Sequence, residues 1–96
     1  MTIAEIIRIL QSAKLDSLRQ YKADLKGIFG SYSREEQRKD SDVDILVEFQ
    51  PGATLFDLSG LRDFLEQKLK IKVDIVSSRA LKEETKPFIH HDLMPI

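Results

Sequence analysis

The chain has 96 residues, 42% of them hydrophobic, with 15 basic against 16 acidic side chains and a net charge of −1. That length suits a single domain, residues 1–96, built on a compact two-layer core, and the balanced charge argues against a dedicated nucleic-acid binder held by phosphate contacts. The absence of cysteine excludes a disulfide framework or thiolate metal centre and suits a reducing cytoplasm, while no apolar run or N-terminal pattern marks a membrane span or a secretory signal.

Taken in order, Thr2-Ile3-Ala4-Glu5 reads as a capping box, in which hydroxyl and carboxylate satisfy free N–H groups at a helix start. Ile3, Ile6, Ile7 and Leu10 follow at helical spacing and predict a helix to about Ala13. Asp16 to Tyr21 is either a second helical turn or a continuation. Leu25 to Phe29 is a short apolar strand interrupted by Gly27. Gly30-Ser31 turns the chain, and Ser33 to Arg38 reads as a polar helical turn whose free N–H groups would face an anion. Arg38-Lys39-Asp40-Ser41 is a charged loop.

Asp42 to Phe49 is the clearest strand. Side chains alternate along a strand, so Asp42 and Asp44 share one face, while Val43, Ile45, Val47 and Phe49 point to the other and read as core. Two carboxylates on one face of an apolar strand are costly to bury unpaired. Taken alone they fit a soluble strand edge or a salt bridge to Arg34, Arg38 or Lys72. Beside a tight Gly-Ser turn they form the ground plan of a site for a nucleotide and a divalent metal.

Gln50-Pro51-Gly52-Ala53 breaks the strand. Thr54 then caps what reads as the longest helix, with Asp57 in its first turn. Leu55, Leu58, Leu61, Phe64, Leu65 and Leu69 form its apolar stripe, and Arg62, Asp63, Glu66, Gln67, Lys68 and Lys70 its wet face. Gly60 weakens it modestly. Lys72 to Val76 is a third strand, and Ser77-Ser78 can cap a short helix ended before Pro87. The tail from Phe88 is a last turn or strand laid on the core. Adjacent His90 and His91 lack the spacing usual for zinc ligands. Three strands with helices on one face predict an α/β (α+β) two-layer fold. Tyr32 is expected to be exposed at the mouth of the site.

The run Phe29-Gly30-Ser31-Tyr32-Ser33-Arg34-Glu35-Glu36, then Ser41-Asp42-Val43-Asp44-Ile45-Leu46-Val47, resembles the minimal nucleotidyltransferases of the DNA polymerase β-type superfamily. Lys72-Val73-Asp74-Ile75-Val76 matches the later strand of that family. Glu35 stands where the family usually has Gly. The resemblance implies a small mixed three- to four-stranded sheet with helices on one face. It implies that Asp42, Asp44 and Asp74 hold a pair of Mg²⁺ ions, with Asp74 accepting the proton of an attacking hydroxyl. Gly30 and Ser31 would hold the β- and γ-phosphates of ATP, with Ser33 and Arg34 as secondary phosphate contacts. Arg34 fits a surface salt bridge equally well.

The reaction implied is transfer of AMP from ATP. Family members are commonly antitoxins that adenylylate a tyrosine of a HEPN-family ribonuclease toxin, and a chain of this length would draw its acceptor from such a partner. Two alternatives stand beside this reading. One is a non-catalytic antitoxin that occludes its partner, which Glu35 keeps open. The other is the catalytic subunit of a small-molecule nucleotidyltransferase.

Overall fold

The computed structural model describes residues 1–30, 32–33, 42–80, 87 and 91–96. Helix α1 spans Ile3–Tyr21 and strand β1 Ala23–Phe29. Strand β2 spans Val43–Phe49, helix α2 Leu55–Leu69, and strand β3 Val73–Ser77, which runs into a 3₁₀ turn at Ser78–Ala80. Met94–Pro95 forms a short β4. The four strands lie in the order β3-β2-β1-β4. β1 is antiparallel to β2 and β4, and β3 is parallel to β2. The parallel pair requires a crossover, and α2 supplies it. This is the mixed sheet of the expected α+β fold.

Both helices lie on one face of the sheet. Ile6, Leu10 and Ala13 of α1 and Leu61, Leu65 and Leu69 of α2 meet Ala23, Leu25 and Ile28 of β1 and Val43, Ile45 and Val47 of β2, all fully buried. Leu25 and Ile28 are three apart, which a regular strand would place on opposite faces. A bulge between Leu25 and Gly27 absorbs the extra residue. The strand is therefore kinked at Gly27 rather than interrupted, and Phe29 is turned to the face opposite the helices. Gly27 also admits the C-terminal segment. A Cβ there would collide with the Met94 carbonyl and lie 2.9 Å from Leu93 Cδ1.

Several expectations about the helices are corrected. α1 does not stop near Ala13. It runs unbroken to Tyr21 and ends at Lys22 in the left-handed conformation, φ 54°. Buried Ala13 and Ser17 are one turn apart, so small residues carry the inner face where a search for large apolar ones loses it. α1, at 19 residues, is longer than α2, at 15. The inner stripe of α2 begins only at Leu61, because Leu55 is 82% exposed and Phe56 90%. Helical periodicity defines a stripe, but not where the neighbour it packs on ends.

Thr54 caps α2 as expected. Its hydroxyl accepts from the Phe56 N–H at 3.2 Å, and its own N–H donates to Asp57 Oδ2 at 2.9 Å. Gly60 has a packing reason: the Tyr21 ring lies where a Cβ would stand, 2.7 Å from Cε1. Tyr21 packs in turn against Phe64, ring centroids 5.5 Å apart. Pro87 is itself helical, and residues 81–86, where the expected short helix would end, lie outside the described residues.

Ser17 is fully buried, and its hydroxyl has no hydrogen-bond partner among the described residues. An unpaired buried hydroxyl costs more than it returns. Ser17→Ala is therefore expected to stabilise the chain by about 1 kcal/mol, since alanine is also the better helix former. That corresponds to a rise of roughly 4–8 °C in the thermal unfolding midpoint. A fall would show that the hydroxyl is satisfied in solution.

Candidate functional site

Alternation along β2 sets the site. With Val43, Ile45 and Val47 in the core, Asp44 faces away from the helices, and Asp42 stands at the entry to the strand. Parallel pairing then brings in the third acid. Asp44 is the register partner of Asp74, as Val43 is of Val73 and Ile45 of Ile75. Register partners in adjacent strands point the same way, so Asp44 and Asp74 are neighbours on the face that carries no helix. Asp42 and Asp74 are exposed and Asp44 is half-buried.

β3 is held at its start from the helix layer. The Glu66 carboxylate of α2 accepts from the Val73 N–H at 2.9 Å, one residue before Asp74. Sequence pattern assigned Glu66 to the wet face of α2. The contact joins positions seven apart through a turn, and no periodicity announces such a link.

β1 delivers the turn. Phe29 is the register partner of Asp44, and Gly30 follows it with φ +79°, a left-handed conformation that glycine adopts without steric penalty. The Gly30 α-carbon lies against the Asp44 side chain. A Cβ added there would fall on Asp44 Oδ2 and 3.1 Å from Cγ. The backbone approach to an acid is thus built into the turn. Ser33 closes it, its hydroxyl donating to the Gly30 carbonyl at 2.9 Å. Tyr32 is not at an open mouth. It is 6% exposed and belongs to the hydrophobic core cluster, so the aromatic ring anchors the turn from within rather than offering a stacking surface.

Ser31, Arg34, Glu35 and His90 lie outside the described residues. Among the described residues, no group of three acidic or histidine side chains is gathered tightly enough to hold a metal ion. What the structure joins is the Asp44–Asp74 register pair, with Gly30 against Asp44; Asp42 precedes β2 and is exposed. Among the described residues, Lys26 binds Asp24 at 2.8 Å and Glu48 at 3.6 Å, and Lys22 reaches Asp57 at 4.0 Å. Hard oxygen donors of this kind, on adjacent strands, are the donor set that suits Mg²⁺.

A groove of about 560 Å³ opens at the other end of β2, lined by Phe49, Ala53, Leu55, Leu58, Ser77 and Arg79 among others. Its described lining contains no carboxylate. Metal-assisted chemistry on a polyphosphate needs acidic ligands, so the carboxylate face is the better candidate.

Comparisons with known proteins agree with the fold. The family model described as a nucleotidyltransferase domain matches residues 14–94. The chain is 43% identical over 94 residues to "Putative protein adenylyltransferase MJ0128" of Methanocaldococcus jannaschii, covering 97% of this chain and 96% of that protein. It is 39% identical over 82 residues to the protein adenylyltransferase MntA of Thermococcus cleftensis, covering 85% and 83%. A solved minimal nucleotidyltransferase superposes with a TM-score of 0.83 at 36% identity, covering 100% of this chain and 97% of that one. A toxin–antitoxin complex with AMP-PNP superposes with a TM-score of 0.59 at 30% identity, covering 75% of this chain and 60% of its counterpart. A third, at 26% identity and TM-score 0.52, holds a tri-AMPylated Shewanella oneidensis HEPN toxin with its MNT antitoxin, covering 78% and 58%.

Proposed function

The chain belongs to the nucleotidyltransferase domain family, and from that premise we propose that it is an antitoxin that transfers AMP from ATP to a tyrosine of a HEPN-family toxin. The observation that carries the reading is the Gly30 backbone lying against Asp44, with Asp74 beside Asp44 in register. Relatives named protein adenylyltransferase support the reaction class. Similar structures complexed with AMP-PNP and with an AMPylated HEPN toxin support the nucleotide and the partner.

Asp42, Asp44 and Asp74 are the residues that would hold Mg²⁺, two ions in this reading. When bound, the metal supplies the positive charge that lets an acidic face accept a triphosphate. The chain's own residues do the rest. Gly30 leaves the backbone bare where the polyphosphate approaches, and Ser31 and Arg34 reach for its oxygens. The tyrosine hydroxyl oxygen attacks the α-phosphorus, an O–P bond forms, and the bond to the bridging oxygen breaks. Pyrophosphate leaves with that electron pair, and Asp74 takes the hydroxyl proton. The partner contributes the acceptor, and the pair works in the cytoplasm, which the lack of cysteine suits. Among the described residues, no helix is long and apolar enough to cross a membrane.

The test is incubation with ATP, Mg²⁺ and the product of the neighbouring gene, read by intact mass. The partner is expected to gain one or more AMP increments. No gain with Mg²⁺ or Mn²⁺ would overturn the reading. Transfer to a metabolite with no protein acceptor would favour the small-molecule enzyme instead.

A further inference from the structure

We infer that Ser33 is a positioning residue: its hydroxyl pins the turn that holds the Gly30 backbone against the Asp44 carboxylate. The inference rests on the transferase reading for its consequence in catalysis, but not for its geometry. Three observations carry it. The Ser33 hydroxyl donates to the Gly30 carbonyl at 2.9 Å. Gly30 is the residue whose α-carbon lies against Asp44, with φ +79°. Tyr32, next to Ser33, is buried in the core cluster, which fixes the residue from which the Ser33 hydroxyl reaches back to Gly30.

The chemistry of a hydroxyl settles what Ser33 can do in this arrangement. A serine has one O–H to donate. Committed to the Gly30 carbonyl, it presents only lone pairs outward, which a phosphate oxygen repels. Ser33 therefore acts through Gly30 and does not grip the nucleotide.

The test compares Ser33→Ala and Ser33→Thr with the wild-type chain. The ¹³C-carboxyl resonance of Asp44, read without nucleotide, is expected to move in Ser33→Ala and to return in Ser33→Thr, which keeps a hydroxyl. An Asp44 signal unmoved by Ser33→Ala overturns the inference whatever the activity. In AMP transfer, Ser33→Ala is expected to lower kcat by about 10-fold, a modest share of what displacing a catalytic group costs. KM for ATP should stay within about twofold, and Ser33→Thr should recover most of kcat. A raised KM with kcat retained would make Ser33 a phosphate contact and overturn the inference. Should the wild-type chain transfer no AMP, the transferase reading fails, and the Asp44 resonance still decides whether Ser33 positions the turn.

Discussion

Replacing Asp42 and Asp44 together by asparagine is expected to abolish AMP transfer while leaving the chain folded. Asparagine keeps the volume of aspartate but carries no charge and offers one acceptor oxygen in place of two. Asp42 is exposed and Asp44 half-buried on the face without helices, so neither substitution opens a cavity in the core. The expected loss is on the order of 10³-fold, since removing a single preorganised charge-stabilising group already costs about 10²–10³. Circular dichroism and a thermal melt check the fold, and intact mass of the partner checks transfer. The same variant separates the two antitoxin mechanisms. If it neutralises the partner at the wild-type dose, the chain works by covering its partner. If neutralisation disappears with transfer, modification is the mechanism.

The features legible in the sequence were those with a period. Alternation along β2 placed Asp42 and Asp44 on one face, because Val43, Ile45 and Val47 had to be inside. A third acid on a later strand was also legible, and the parallel register of β3 on β2 sets Asp74 beside Asp44. Thr54 and Asp57 form the cap their spacing indicates. Each is a local rule that tertiary packing did not override.

What stayed hidden depends on contacts across the chain. The bulge at Gly27 changes which side chains face the helices, and the bare Gly27 backbone is closely approached by the Met94 carbonyl, 67 residues away in sequence. Tyr32 stands among polar residues in a turn, where no pattern signals burial, yet its ring completes the core under the site. Leu55 fits the apolar stripe of α2 and is nevertheless exposed, because the stripe outruns the surface it packs on. The bond from Val73 N–H to Glu66 and the approach of Gly30 to Asp44 are single contacts with no repeat to reveal them.

The approach of Gly30 to Asp44 yields the second large effect, in Gly30→Ala. Two penalties add there. An alanine must hold φ near +79°, which costs a non-glycine residue about 1 kcal/mol. Its Cβ must also stand where Asp44 Oδ2 now lies, so the carboxylate has to rotate away. The first penalty acts on stability alone, and the second acts on the site. Gly52 separates them. It too has positive φ, +90°, but a Cβ there meets nothing within 4 Å. Both alanine variants are therefore expected to lose roughly 1 kcal/mol or more in denaturant unfolding, Gly30→Ala somewhat more than Gly52→Ala. Only Gly30→Ala should lose activity, by about 10²-fold, the penalty for moving a catalytic group by an ångström. Because the added Cβ both displaces the Asp44 carboxylate and stands where the polyphosphate approaches, kcat should fall and KM for ATP should rise, and the loss in kcat should persist at saturating ATP. Equal transfer rates in the two variants would mean that catalysis does not need Asp44 where the Gly30 turn now leaves it.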